Sequence, residues 1–114
     1  MPPKEPPTPA EKEFARLLKD LARTPGAGSP HRDGFGKHSM FAGRKMFAFL
    51  DKADRLVVKL PAKRVDELVK DGTGVRWDPG NGMRMKEMLA LDLSASRQWL
   101  LLAKEARTYM SGKS

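Results

Sequence analysis

Apolar residues recur in this chain at two different periods, and the points where one gives way to the other limit the fold more than any other feature. Phe14, Leu17, Leu18 and Leu21 fall at i, i+3, i+4 and i+7, the spacing of a single helical face. Thr8 precedes that stripe with Glu11 three residues later, and Pro9 stands at the first helical position. This spacing predicts a helix closed at its start by a reciprocal Thr/Glu capping box. The helix must stop before Pro25, in a stretch rich in Pro, Gly and Ser. From Phe35 the period shortens. Residues 39–42 and 45–50 flank Gly43 and Arg44, a two-residue hairpin turn, and residues 55–60 form a third strand beyond a turn at 51–54.

Pro61 opens a second helix on which Val65, Leu68 and Val69 repeat, and Gly72 is placed to cap its end. Residues 75–77 and 85–91 read as further strands on either side of a loop at 78–82. Trp99, Leu102, Ala103, Ala106 and Met110 then share one face of a last helix that Ser94 or Ser96 can cap. The order is α-β-β-β-α-β-β-α. It predicts an α+β, two-layer fold in which N-terminal, middle and C-terminal helices pack on an antiparallel sheet of about five strands.

The chain has 114 residues, enough for one core, and the pattern places a single domain over residues 9–111. Residues 1–8 hold four of the nine prolines and little to bury, so a disordered tail is expected there, with a flexible end at 112–114. Cysteine is absent, which excludes disulfide scaffolds, iron–sulfur sites and thiol catalysis and makes a reducing cytoplasm the expected compartment. Apolar runs such as residues 99–103 are far short of the ~20 residues of a membrane span, so no membrane partner is expected.

Signals for chemistry are weak. Gly36-Lys37 is followed by His38, where a phosphate loop needs Ser or Thr, and Gly26 to Gly28 lacks the third glycine of a dinucleotide fingerprint. His31 and His38 lie seven residues apart without a helical metal-ligand spacing. No serine stands in a nucleophile elbow, and the adjacent carboxylates Asp66 and Glu67 diverge on a helix. The expectation is a protein that is not an enzyme and needs neither cofactor nor metal.

Charge is the stronger signal. Lys plus Arg is 22 against 14 for Asp plus Glu, a net +8, and residues 31–86 carry +6 of it. Such a surface favours encounter with polyanions, although a net charge of this size is also ordinary for a small soluble domain. Strand alternation places Lys45, Phe47 and Phe49 on one side of the second strand. It does the same for Arg55, Val57 and Lys59 on the third, and for Lys86, Met88 and Ala90 on the last. A sheet side with cations between aromatic groups could hold phosphates while stacking on bases. Cover by a helix, with lysines at its margin, is favoured over an open platform, because Phe47 and Phe49 otherwise face water. The candidate nucleic-acid contacts are Lys45, Arg55, Lys59, Arg84 and Lys86. The rival reading is a protein-interaction module or homodimer in which Met40, Met46, Met83, Met85 and Met88 adapt to a partner, although methionine is more often plain core filling.

A longer pattern runs through the same segments. Gly34-Phe35-Gly36, Lys45-Met46-Phe47-Ala48-Phe49-Leu50, Arg55-Leu56-Val57-Val58-Lys59-Leu60-Pro61, Arg64-Val65-Asp66-Glu67-Leu68, Asp78-Pro79-Gly80-Asn81-Gly82 and Met85-Lys86-Glu87 follow one another, with Trp99-Leu100 beyond. In order and spacing this closely resembles the bacterial TfoX/Sxy amino-terminal-like domains, relatives of the YjbR/MmcQ group. Gly34 and Met88 depart from that pattern. The residues that carry it are Phe35, Gly36, Phe47, Pro61, Asp78, Pro79, Gly82 and Glu87. The resemblance implies a small two-layer domain of unassigned biochemical role, a stand-alone copy without the second domain of full-length TfoX. It also implies a transcription- or competence-related accessory protein whose partner is nucleic acid or a nucleic-acid-bound protein.

Overall fold

The computed structural model describes residues 8–23, 39–42, 45–51, 53–78 and 86–111. Three helices and five strands follow in the expected order: α1 (Pro9–Arg23), β1 (Ser39–Ala42), β2 (Lys45–Leu50), β3 (Leu56–Lys59), α2 (Ala62–Lys70), β4 (Val75–Arg76), β5 (Met88–Leu91) and α3 (Trp99–Ser111). A 3-10 turn, Leu93–Gln98, leads into α3. The strands form one antiparallel sheet in the order β1-β2-β3-β5-β4.

Local chemistry fixes the ends of these elements. Glu11 N–H donates to Thr8 Oγ1 and Thr8 N–H to Glu11 Oε1, each at 3.1 Å, so the capping box forms. Helix α2 closes in a Schellman motif: Thr73 N–H donates to the Leu68 carbonyl and Gly72 N–H to that of Val69, with Gly72 at φ +82°. Pro61 stands just outside α2 as its N-cap residue. At the start of the 3-10 turn the cap is Asp92, whose side chain accepts from Ser94 N–H at 3.0 Å, and neither Ser94 nor Ser96. The carboxylate prevails because its charge strengthens the bond to an orphan amide.

The main core lies between one side of the sheet and the helices. Phe14, Leu17 and Leu21 of α1, Val65 and Leu68 of α2, and Trp99, Leu102 and Ala106 of α3 are buried there against strand residues such as Leu56, Val58 and Leu89. Polar ties secure the helices to one another. Arg107, only 4% exposed, donates to the Leu21 carbonyl in the last turn of α1, where the helix leaves its carbonyls unpaired. Arg64 of α2 grips Glu105 of α3 through Nε and Nη2, at 2.9 and 3.3 Å. The indole N–H of Trp99 donates to the Asp92 carbonyl, so the largest core side chain also pins the connection out of β5.

Two glycines are there for different reasons. Gly72 needs its left-handed backbone, whereas a Cβ on Gly74 would lie 2.6 Å from the Ala90 carbonyl oxygen, in the β4–β5 seam. We predict that Gly72→Ala costs roughly 1–2 kcal/mol through conformation alone. Gly74→Ala should cost about 1–3 kcal/mol and also loosen β4. Urea denaturation gives the stability of each variant. Faster amide exchange at Trp77, whose N–H donates to the Met88 carbonyl, should accompany Gly74→Ala but not Gly72→Ala.

Candidate functional site

The second side of the sheet has its own apolar cluster. Val57, Met88 and Ala90 are buried in it, Phe49 and Trp77 pack against it, and no described helical residue takes part. Register makes the arrangement regular: Phe49 opposes Val57, Val57 opposes Ala90, and Ala90 opposes Val75, a row across four strands. Trp77 follows β4 at the parity of Val75 and meets Phe49 edge to face, with ring centroids 5.0 Å apart and an interplanar angle of 80°. Lys59 opposes Met88 on the same side and is half-buried. Among the described residues it forms no ion pair or hydrogen bond.

Only part of the expected cationic side is assembled. Met40 pairs with Ala48 but Phe41 with Met46, so Phe47 is an extra residue in β2, a β-bulge. The bulge breaks the alternation that should have kept Lys45, Phe47 and Phe49 together. Phe47 enters the helix-covered core, and Phe49 stays on the other side. Lys45, one residue before Met46, falls on the side of Phe47 and is already engaged with a neighbouring group. Helix cover therefore holds for Phe47, whereas no described helix covers Phe49.

The other candidates are also dispersed. Arg55 is committed to Asp51, donating through Nε at 3.1 Å with Nη2 at 3.0 Å, and its N–H binds Asp51 Oδ1 at 2.8 Å. That carboxylate organises the β2–β3 turn, in which Asp54 takes a φ of 60°. Lys86 is exposed but sits in a turn, since β5 begins at Met88 and not at residue 85. Arg84 lies outside the described residues, as do Phe35, Gly36, Pro79 and Gly82, the 43–44 turn, His31, His38, Met83, Met85 and the two chain ends at 1–7 and 112–114. Glu87 accepts a hydrogen bond from the Tyr109 hydroxyl, and its carbonyl accepts from Leu60 N–H at 3.0 Å. This acid thus joins the start of β5 to α3 and to the end of β3. Asp78, half-buried after Trp77, is likewise engaged.

Where the sheet row reaches its far end, a cavity of about 670 Å³ opens between Val75, Ala90 and the loops at 71–74 and 92–98. Its polar lining comprises Arg55, Asp71, Thr73, Asp92, Ser94 and Gln98, and Val69 contributes to the apolar wall. Asp71 Oδ1 accepts from Thr73 N–H at 2.9 Å and from the Thr73 hydroxyl. Asp92 Oδ1 receives the same pair of bonds from Ser94. In both, Oδ2 has no partner among the described residues. Sequence reasoning passed over this site because Asp71 and Asp92 signal only turn and cap. Trp77 was legible as a strand end, and its parity with Val75 was the available clue to its position.

Among the described residues no helix is long and apolar enough to cross a membrane, and no three His, Cys, Asp or Glu side chains are grouped to hold a metal. The Thr73 hydroxyl, and after it the Thr73 amide, holds the Asp71 carboxyl below its ordinary value of 3.8. A depressed carboxyl contributes its stabilisation above the unfolded value and loses it as pH falls through the native one. NMR titration should therefore give Asp71 a midpoint below 3.8, and Thr73→Val should raise it. An unchanged midpoint in Thr73→Val would show that the hydroxyl is not the cause.

A scan against protein-family models, a search of curated proteins and a search of solved structures each returned no match.

Proposed function

We propose that this chain is a non-enzymatic, cytoplasmic accessory protein of the TfoX/Sxy amino-terminal-like kind that binds single-stranded nucleic acid weakly. The observation that carries this reading is the Phe49–Trp77 pair beside Lys59, which has no ion-pair partner among the described residues, on the side of the sheet where no described helix packs. Aromatic planes accept bases of any sequence, at about 1–3 kcal/mol per stacked base, and a neighbouring ammonium holds the backbone phosphate. Ion pairing supports the same view. Arg16, Arg55, Arg64 and Arg76 are each paired with a carboxylate. The side chains of Lys12, Lys19, Lys59, Lys63, Lys70, Lys86 and Lys104 form no ion pair or hydrogen bond among the described residues. Of the candidate cations among the described residues, Lys45 and Arg55 are engaged and Lys59 and Lys86 form no ion pair there, and few phosphate contacts mean modest affinity.

A second reading has an observation of its own. Val75 is 51% exposed on β4, a two-residue strand at the sheet edge, and its row leads straight to the apolar cluster. A second copy of the chain placed there would bury both.

Fluorescence anisotropy with labelled oligothymidine and a duplex of equal length separates the two. At low salt the single strand should bind more tightly. Lys59→Ala should lower the salt slope by about 0.7, the contribution of one phosphate contact on a single strand. Trp77→Leu, which keeps apolar contact but removes a stacking plane, should weaken binding roughly tenfold. Absence of binding at low salt, together with a salt-insensitive dimer in light scattering, would replace the nucleic-acid reading with the second.

A further inference from the structure

The apolar row that crosses the sheet stops at an open edge. β4 is the last strand in the sheet order, and Val75, 51% exposed, ends the row from Phe49 through Val57 and Ala90. One hydrogen bond fixes which backbone groups of that edge are spent. Trp77 N–H donates to the Met88 carbonyl at 3.0 Å, and ladder bonds recur at every second residue, so Val75 and Trp77 turn their amides and carbonyls to β5. Arg76, between them, turns its N–H and C=O outward, where no described strand lies beyond β4. Its guanidinium is bound to Asp66 of α2, on the helix-covered side of the sheet.

An edge of this kind accepts another strand, and a second β4 complements it. In an antiparallel pair centred on Arg76, that residue exchanges both outward backbone groups with its own counterpart, a two-fold arrangement that closes on itself. Val75 then opposes the partner's Trp77, and Trp77 opposes the partner's Val75. These are non-hydrogen-bonded positions, about 4.5 Å apart at Cα, where side chains approach most closely. A β-branched residue opposite an aromatic one is a favourable cross-strand pair. Charge agrees with the same occupant. Each Arg76 brings its own Asp66 to the seam, so two neutral ion pairs meet there instead of two bare guanidinium groups.

We propose that two copies of the chain pair through β4 about a two-fold axis at Arg76, which joins their sheets edge to edge. This rests on the second reading above and adds to it the edge, the strand direction and the register. Both Phe49–Trp77 pairs lie on one side of the joined sheet, and each Val75 gains an indole as neighbour. The contact consists of two backbone bonds and two side-chain pairs. It belongs with weak, transient interfaces, and a Kd on the order of 100 µM is expected.

The chain contains no cysteine, so introduced thiols report the register directly. Full chains carrying Val75→Cys and Trp77→Cys are oxidised with glutathione disulfide, separately and mixed, and the dimers are weighed by mass spectrometry. The mixed disulfide should exceed either self-linked dimer about tenfold. Residue 75 faces 77 of the partner within disulfide reach, whereas like residues sit diagonally, about 7–8 Å apart. Val75→Lys, at an exposed position, should keep the fold and raise the dimer Kd at least about tenfold in sedimentation equilibrium. Equal cross-linking in all three samples, a dimer that Val75→Lys leaves intact, or species larger than a dimer overturns the β4 pairing and leaves association through another surface standing. A chain that stays monomeric up to about 1 mM and yields no mixed disulfide removes both.

Discussion

The β3–β5 ladder is the interaction on which the rest of the structure depends. Leu56 faces Leu91, Val57 faces Ala90, Val58 faces Leu89 and Lys59 faces Met88, so both sides of these neighbouring strands are apolar. An antiparallel pair in a two-layer domain usually shows one wet side and one dry side. Here three helices and the 3-10 turn pack on one side, and the other is shielded in part by Phe49 and Trp77. Burial of Val57 at 0% and Ala90 at 2% shows that the smaller cluster excludes water, although its outer members stay half-exposed. The molecule thus has its main core on one side of the sheet and a smaller, aromatic-edged cluster on the other.

A single inserted residue allows this division. Without the bulge at Phe47, strict alternation would send Phe47 and Phe49 the same way, and either the helices or the outer cluster would lose an aromatic. With it, Phe47 is fully buried under α3 while Phe49 meets Trp77. Residues of the family-like pattern divide in a similar way. Phe47, Pro61 and Glu87 act in packing, in helix entry and in the Tyr109 contact, so each has a structural task apart from any ligand.

Electrostatics divides between the two basic residue types for a physical reason. Planar guanidinium forks match carboxylates, and Arg55 and Arg64 are held in that way. Lysine is a more strongly hydrated point charge on a flexible stem, and it remains at the surface. Among the described residues one such lysine, Lys59, lies beside the aromatic pair. In the cavity lining, Asp71 and Asp92 each accept at Oδ1 from the hydroxyl two residues further on.

By itself the sequence determined where the elements lie and how they end. Thr8 with Glu11, Pro61 and Gly72 act within a turn or two of the chain, so their effects can be read without knowing what packs on what. The helical stripes were equally legible, since Phe14, Leu17 and Leu21 needed only a common face. Tertiary structure decided the rest. Whether Lys45 shares a side with Phe49 depends on the register between β1 and β2, a choice made by pairing across strands and not by alternation along one. Tyr109 reaches Glu87 only because α3 lies over the end of β3 and the start of β5. The cavity exists only where the 71–74 loop, the end of β5 and the 3-10 turn come together. Local spacing encodes periodicity and caps, whereas shared faces and cavities come from the long-range burial that sets register.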